Sequence, residues 1–524
     1  MKLRTVAAGM LALLWMTGCN AQPGQPVSET TAGTPQATQS GTPAGDIPVL
    51  SIVSASGSDD FVTQPVDAFV ANSIASWTWG YVMPPAPYYE DCTVTLTDAD
   101  GTVCTEGEAQ VKVRGNWTTS YTKKPLRIKF AEKQPMLGLN DGAECKNWVL
   151  LACYKDKSLL RDKTALQMSR EILGADGLYA ADAALVQVEV NGKDWGVYLL
   201  ADYQQTNSHR IAITEPEKGY EGTDIGYLLE YDGYYEQEDP LERFTIDYAD
   251  NAPLIPFDGK GGSGREVHPL NTGAGDRKEN TGFTINSDIY SQAQHDFIAD
   301  YMANVYRILY AAAYEDKAYI FNNTHTKIAE TTDLTPQEAV EAAVDVQSLV
   351  DMYIISEVAC DADLYWSSFF MDVDFGKDGD GKLRFEAPWD FDSALGNKDR
   401  IPDGEGFYAG NIIPDVGDSY EACNPWLCVL MNEDWYQDLI RKTWTRSYDA
   451  GVFEHAKTMI AEDTARYADA FAKNDARWGT LQHNEAQNEL TRRSAQCTTP
   501  QAASDYLSEW LESRVAFLNA QWHE

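Results

Sequence analysis

Two short acidic runs hold the residues best suited to chemistry: Asp361-Ala-Asp363-Leu-Tyr-Trp-Ser-Ser368, and Pro388-Trp-Asp390-Phe-Asp392-Ser-Ala-Leu-Gly396-Asn397. Crowded carboxylates repel one another, so a fold that gathers them needs a cation to justify the cost. Asp363 follows a helical stretch (346–359), and Asp390 and Asp392 follow a short strand (382–387). Two neighbouring elements can therefore point carboxylates into one cleft from opposite sides. Phosphoryl-transfer enzymes use that arrangement to hold a divalent metal ion and orient a hydroxyl. The plainer reading makes Asp390 and Asp392 caps of the turn after the strand. It makes Asp363 an ordinary loop carboxylate, with Asp361 its nearest rival.

Positive charge gathers elsewhere. Lys112, Arg114, Lys123, Lys124, Arg127, Lys129 and Lys133 fall within 22 residues that contain one acid, Glu132. Val111 and Val113 alternate with Lys112 and Arg114, and Leu126, Ile128 and Phe130 alternate with Arg127 and Lys129. Side chains on a strand switch faces at each residue, so each strand has an apolar face and a basic one. Gly115-Asn-Trp-Thr-Thr-Ser joins them as a polar loop. A solvated face is the usual fate of such a run. Set against the downstream carboxylates, it also supplies the cations a nucleotide's phosphates need. No Walker loop or dinucleotide fingerprint is present, which removes the P-loop and Rossmann readings.

The elements that must position these groups are β-rich first and helical later. Apolar or alternating runs at 49–53, 92–96, 102–105, 109–113, 126–130 and 148–153 read as strands. Residues 184–190 and 195–200, joined through Asn191-Gly192, read as a hairpin, and 226–231 as a further strand. Helical spacing covers 158–172, 288–313, 335–359, 434–448, 453–471 and 500–522, and 253–284 is a glycine-rich loop. Asp374–Gly381 is a tight turn; it lacks the bidentate Glu of a calcium loop, and its Asp-Phe-Gly is coincidental. The order predicts an α+β chain with an N-lobe and a C-lobe.

With 80 acidic against 41 basic residues the net charge is −39, which disfavours nucleic acid and anionic lipid as partners. Lys2 and Arg4, the apolar 6–16 stretch and Met16-Thr-Gly-Cys19 form an export leader. A cysteine at that point resembles a bacterial lipoprotein signal, with Cys19 lipidated and the mature protein anchored at the extracytoplasmic face of the membrane. Residues 20–46 are a Pro-, Thr- and Gly-rich tether without periodicity. Eight further cysteines form no Cys-x-x-Cys pair, so a zinc site is not expected. A Cys92–Cys104 bridge fits a hairpin, and Cys423 with Cys428 is a second, weaker pairing.

Five ordered segments resemble the CotH kinase family, the spore-coat protein H relatives. They are Val113-Arg114-Gly115-Asn116 with Lys123–Phe130; Trp148-Val-Leu-Leu with Asp156–Ala165; Val190–Leu200; Gly226–Glu230; and Pro388–Gly396. The resemblance spans about 47–450. It implies an atypical protein-kinase-like two-lobed fold, with a β-rich N-lobe over about 47–235, a helical C-lobe after it, and a C-terminal helical extension at 451–524. It implies transfer of the ATP γ-phosphoryl group to Ser or Thr of a protein, with Mg2+ or Mn2+. By position, Asp363 is the base or orienter, Asp390 holds the metal with Asp392 as a second ligand, and Arg114 with Lys123, Lys124 or Lys129 contacts phosphates. Arg161 is expected in a structural ion pair, with Glu230 a candidate partner. Ser368 stands where kinases place a metal-binding Asn, which implies weak, single-metal or lost activity. The alternative is a catalytically inactive surface or coat scaffold that binds partner proteins or wall polysaccharide.

Overall fold

The computed structural model describes residues 47–64, 89–115, 117–259, 266–267, 281–398, 400–414, 421–482, 484 and 486–524. The leader with Cys19, the 20–46 tether, Asn116 and most of the 260–280 loop lie outside the described residues.

Alternating strands in the first half close on themselves. β1 (Val49–Ser54) pairs antiparallel with β2 (Glu90–Thr97) and parallel with β6 (Ala183–Val190). With β3 (Val103–Val113), β4 (Leu126–Gln134), β5 (Cys145–Leu151) and β7 (Lys193–Ala201), they form a barrel in the order β1-β2-β3-β4-β5-β7-β6. Closure removes both sheet edges and encloses the apolar faces, including Leu50, Val94, Val111, Ile128, Trp148 and Leu200. Asn191 (φ 50°) and Gly192 (φ 72°) supply the left-handed residues of the two-residue β6–β7 turn. The Cys92–Cys104 bridge does not form. Cys92 lies opposite Ala109 and is buried, whereas Cys104 lies five residues from that partner and faces solvent.

A second sheet runs β14-β13-β8-β10-β9, from Arg384–Phe385, Phe369–Asp374, Gly226–Asp232, Gly282–Ile285 and Arg243–Phe244. A small hairpin, β11 (Ala318–Phe321) with β12 (Ile328–Thr331), stands apart from it. The helices are α1 (Arg161–Gly174), α2 (Gln292–Glu315), α3 (Pro336–Ala343), α4 (Val346–Ala359), α5 (Asp434–Asp449), α6 (Val452–Arg466), α7 (Ala468–Trp478) and α8 (Pro500–Trp522). The single helix expected over 335–359 is two. Asp345 caps α4 by accepting the Ser348 N–H, and Val344 bridges to Leu383 instead of continuing α3. The 453–471 helix likewise breaks at Tyr467 into α6 and α7. One apolar core joins α1, the second sheet, α4 and α8, from Leu160 through Met371 to Trp522. No helix among the described residues is long and apolar enough to cross a membrane.

Candidate active site

The barrel turns its basic exterior toward the second sheet. Val111, Val113, Leu126 and Ile128 must face the barrel interior, so the alternation puts Lys112, Arg114 and Arg127 on the outer face. Those three line one wall of a cleft of about 650 Å3. Glu230 and Asp232 of β8, Phe370 of β13, and Thr284 and Asn286 form the opposite wall. The floor carries Asp363, Asp390 and Asp392, together with Lys155 and Asp162 at the entry to α1.

The acidic loops are held in sparsely populated backbone conformations. Cys360, Ser368, Ala387, Asp390 and Leu395 all have positive φ, between 49° and 68°. Non-glycine residues stay there only when the surroundings enforce it, and such residues cluster at functional sites. The enforcing contacts are visible. Ala387 N–H donates to the Tyr179 carbonyl (2.9 Å), Phe391 N–H to Asp162 Oδ1 (3.0 Å), and the Asn397 side chain to the Asp392 carbonyl (2.7 Å). The Tyr408 hydroxyl donates to the Asp361 carbonyl (2.6 Å) and Asn424 Nδ2 to the Leu364 carbonyl (3.0 Å).

Burial and mutual repulsion push the carboxyls up. Asp390 is raised to about 7, by burial first and then by Asp392 and Asp363, against the pull of Lys155 and Arg114. Asp361 and Asp162 lie well above the usual carboxylate range for the same two reasons. Glu230 is raised to about 8 by burial and by Asp232; its Oε1 accepts the Ser368 N–H at 3.0 Å. A set of oxygen-only groups with too many negative charges fits a hard divalent cation. Among the described residues no three His, Cys, Asp or Glu side chains already stand in a ligating arrangement. The Lys155 ammonium, 3.0 Å from Asp392 Oδ1, supplies the nearest positive charge.

The proposed site residues separate clearly. Asp363, Asp390, Asp392 and Arg114 converge on the cleft, the last with its guanidinium 5.8 Å from the centre of the Trp389 ring. Lys123 also lines it, but its ammonium donates to the Ala152 carbonyl (2.7 Å) and to that of Val197, and lies 4.3 Å from the centre of the Tyr198 ring. Burial lowers it to about 7. Lys124 ties down the preceding loop through the Thr119 and Tyr121 carbonyls, and Lys129 is exposed; neither lines the cleft. Arg161 pairs with Asp156 (2.5 Å), not Glu230, and donates to the Leu395 carbonyl (3.2 Å). Asp156 also accepts the Leu160 and Arg161 N–H groups at the start of α1. Lys155 was missed. Burial drives its pKa down, but Asp392, Tyr121, Asp363 and Glu489 outweigh that and hold it well above the usual lysine range. The only sequence signal was the Lys155-Asp156-Lys157 triplet in the loop before α1, outside the basic run.

The family model described as CotH kinase protein matches residues 111–518, most of the chain. No curated protein matches it.

Proposed function

Because the chain belongs to the CotH kinase family, we propose that it is an atypical protein-kinase-like phosphotransferase that moves the ATP γ-phosphoryl group to Ser or Thr of a protein. The barrel then serves as the smaller lobe, and the second sheet with its helices as the larger one. The leader ending in Cys19 and the 20–46 stretch support a position at the outer face of a membrane, with an extracytoplasmic or coat protein as the acceptor.

Asp390 and Asp392 would hold Mg2+ or Mn2+, which when bound would neutralise phosphate charge. Arg114, on the opposite wall, offers a guanidinium to phosphate oxygens with forked, charge-assisted hydrogen bonds. Lys155 offers an ammonium from the floor. Asp363 accepts a hydrogen bond from the acceptor hydroxyl and orients it for in-line attack. Ser368 puts a hydroxyl, a poorer ligand, where kinases place an Asn amide for a second metal ion, which favours a single-metal site.

The observation that carries this reading is the convergence of Arg114 and Lys155 with Asp363, Asp390 and Asp392 in one cleft, Asp390 being raised to about 7 by its neighbours and burial. The test is a thermal-shift titration of the chain lacking its first 19 residues, with ATP plus Mn2+, beside Asp390→Ala. Nucleotide at 100 times its dissociation constant stabilises the native state by about 2.7 kcal/mol. A shift in the wild type that vanishes in the variant is expected. No shift with Mn2+ or Mg2+ would overturn the reading and leave a coat or surface scaffold of the same fold.

A further inference from the structure

Lys155 faces a conflict that its own loop does not resolve. Its ammonium leans on Asp392 Oδ1 (3.0 Å) and the Ser393 hydroxyl, yet Asp392 is one of the two carboxylates assigned to the metal. Once that carboxylate turns to a cation, a buried ammonium without an anionic partner is costly. Among the described residues, one other carboxylate is within ion-pair distance. Glu489 Oε2 lies 3.9 Å from Lys155 Nζ, its side chain about a third exposed to the cleft.

Glu489 belongs to the segment between α7 and α8, some 330 residues downstream, and that segment is built around Lys155. Asn484 Nδ2 donates to the backbone carbonyls of Tyr154 (3.2 Å) and Lys155 (3.3 Å). Thr491 N–H donates to the Asn397 carbonyl (2.8 Å), and Leu490 bridges to Lys398 directly after the Asp392 loop. Lys157 fastens the flanks through the carbonyls of Leu481 (3.0 Å), Ala495 (2.7 Å) and Cys497 (3.2 Å). On the barrel side, the Tyr121 hydroxyl donates to Glu489 Oε1 (3.4 Å), and the Tyr121 ring packs on Tyr154 at 5.4 Å. Glu489 thus sits where the loop after Arg114, the Lys155 ammonium and the C-terminal segment meet.

We infer that Glu489 is a positioning residue, which takes the Lys155 ammonium when Asp392 turns to the metal and holds it toward the phosphates. The inference rests on the phosphotransfer reading above. No bond is made or broken by Glu489; it acts through Lys155 alone.

The test compares wild type, Glu489→Gln and Glu489→Asp in the chain lacking its first 19 residues, measuring Mn2+–ATP affinity by thermal shift and ATP turnover by phosphate release. Losing an outer partner of a catalytic group costs on the order of 10–100-fold. Glu489→Gln should lower kcat about tenfold while Mn2+–ATP affinity changes less than about threefold, and Glu489→Asp should recover part of the loss. The nucleotide-free melting temperature should stay put, because Asp392 still holds Lys155 there. Wild-type turnover in Glu489→Gln, or equal loss in Gln and Asp variants with a lowered melting temperature, would overturn the inference. Failure of the phosphotransfer reading looks different: the wild type itself shows no Mn2+–ATP shift, and the inference falls with it.

Discussion

Asp351 on α4 shows what a buried carboxyl does when nothing functional surrounds it. Its side chain is inaccessible, Oδ2 has no hydrogen-bond partner, Oδ1 accepts from Gln347 (2.9 Å), and Arg446 stands at 3.4 Å. Burial first, then Asp176, raise it to about 8. In the unfolded chain it ionises near 4. Between those values the folded state binds the extra proton, so its stability is greatest at the acid end and falls as pH rises toward 8. Asp351→Asn removes that titration with little change of shape. Denaturant unfolding should show a flatter loss of stability from pH 5 to 8, and a variant more stable than wild type at pH 8. An unchanged slope would mean that Arg446 keeps the carboxylate ionised. The residue scale is also where the sequence was most and least readable. Asp363, Asp390 and Asp392 could be found because crowded carboxylates are costly anywhere. Lys155 could not, because its importance comes from contacts with Asp392, Ser393 and Glu489, more than two hundred residues away. Lys123, one of the three lysines that the resemblance offers to phosphates, has its ammonium among barrel carbonyls and beside the Tyr198 ring, a placement that strand alternation does not encode.

Among elements, α4 and α8 decide whether the loop carrying Asp361 and Asp363 has a fixed address. α4 ends at Ala359, directly before Asp361 and Asp363, and Glu357 in its last turn is fully buried. Arg514 of α8 meets it there, bonding Glu357 Oε1 (2.5 Å) and its carbonyl (2.7 and 3.0 Å), with the Gly404 carbonyl at 3.2 Å. The Glu357 carboxylate also accepts the Tyr408 and Ala409 N–H groups (both 2.7 Å). Removing one partner of such a pair strands a buried charge, a loss of about 3–5 kcal/mol. Arg514→Ala should therefore lose that much in urea unfolding, and Mn2+–ATP binding should weaken with it. Adding Glu357→Gln should restore part of the stability, and a double variant no better than the single would refute the stranded-charge account. Helix spacing made α8 legible to the residue, from the Thr499 cap to Trp522, and it found the end of α4 at Ala359 but not its start, because the break at Val344 and Asp345 depends on the Leu383 strand. Their pairing was not legible. An isolated Arg in an amphipathic helix looks the same whether it meets water or Glu357.

At the scale of the molecule, the order of strands then helices was readable, but not the barrel. Its closing contact is the parallel β1–β6 pairing, between segments more than 130 residues apart and not joined by any local signal. The resemblance ends near 450 and implies a helical extension at 451–524. Here Trp510, Leu518 and Trp522 lie in the core that also holds Leu160, Met371 and Trp444. Gly396, at φ 73°, presses so closely on Trp510 that a Cβ would meet the indole at 2.5 Å, which ties the end of the Asp392 loop to α8. Lys157 and Asn484 tie the segment between α7 and α8 to the loop before α1, Asn484 through the Lys155 carbonyl. An ordinary appendage could be cut away at residue 450 and leave a cooperative domain. Cutting this chain there would expose one side of the main core, strand Glu357 and remove Glu489 from the cleft. The chain ending at residue 450 should give no sharp calorimetric transition, should be degraded by protease under conditions that leave the longer chain intact, and should show no Mn2+–ATP shift. A truncated chain that melts sharply and still responds to nucleotide would place the site's determinants wholly before residue 451, and would sink both this prediction and the role given to Glu489.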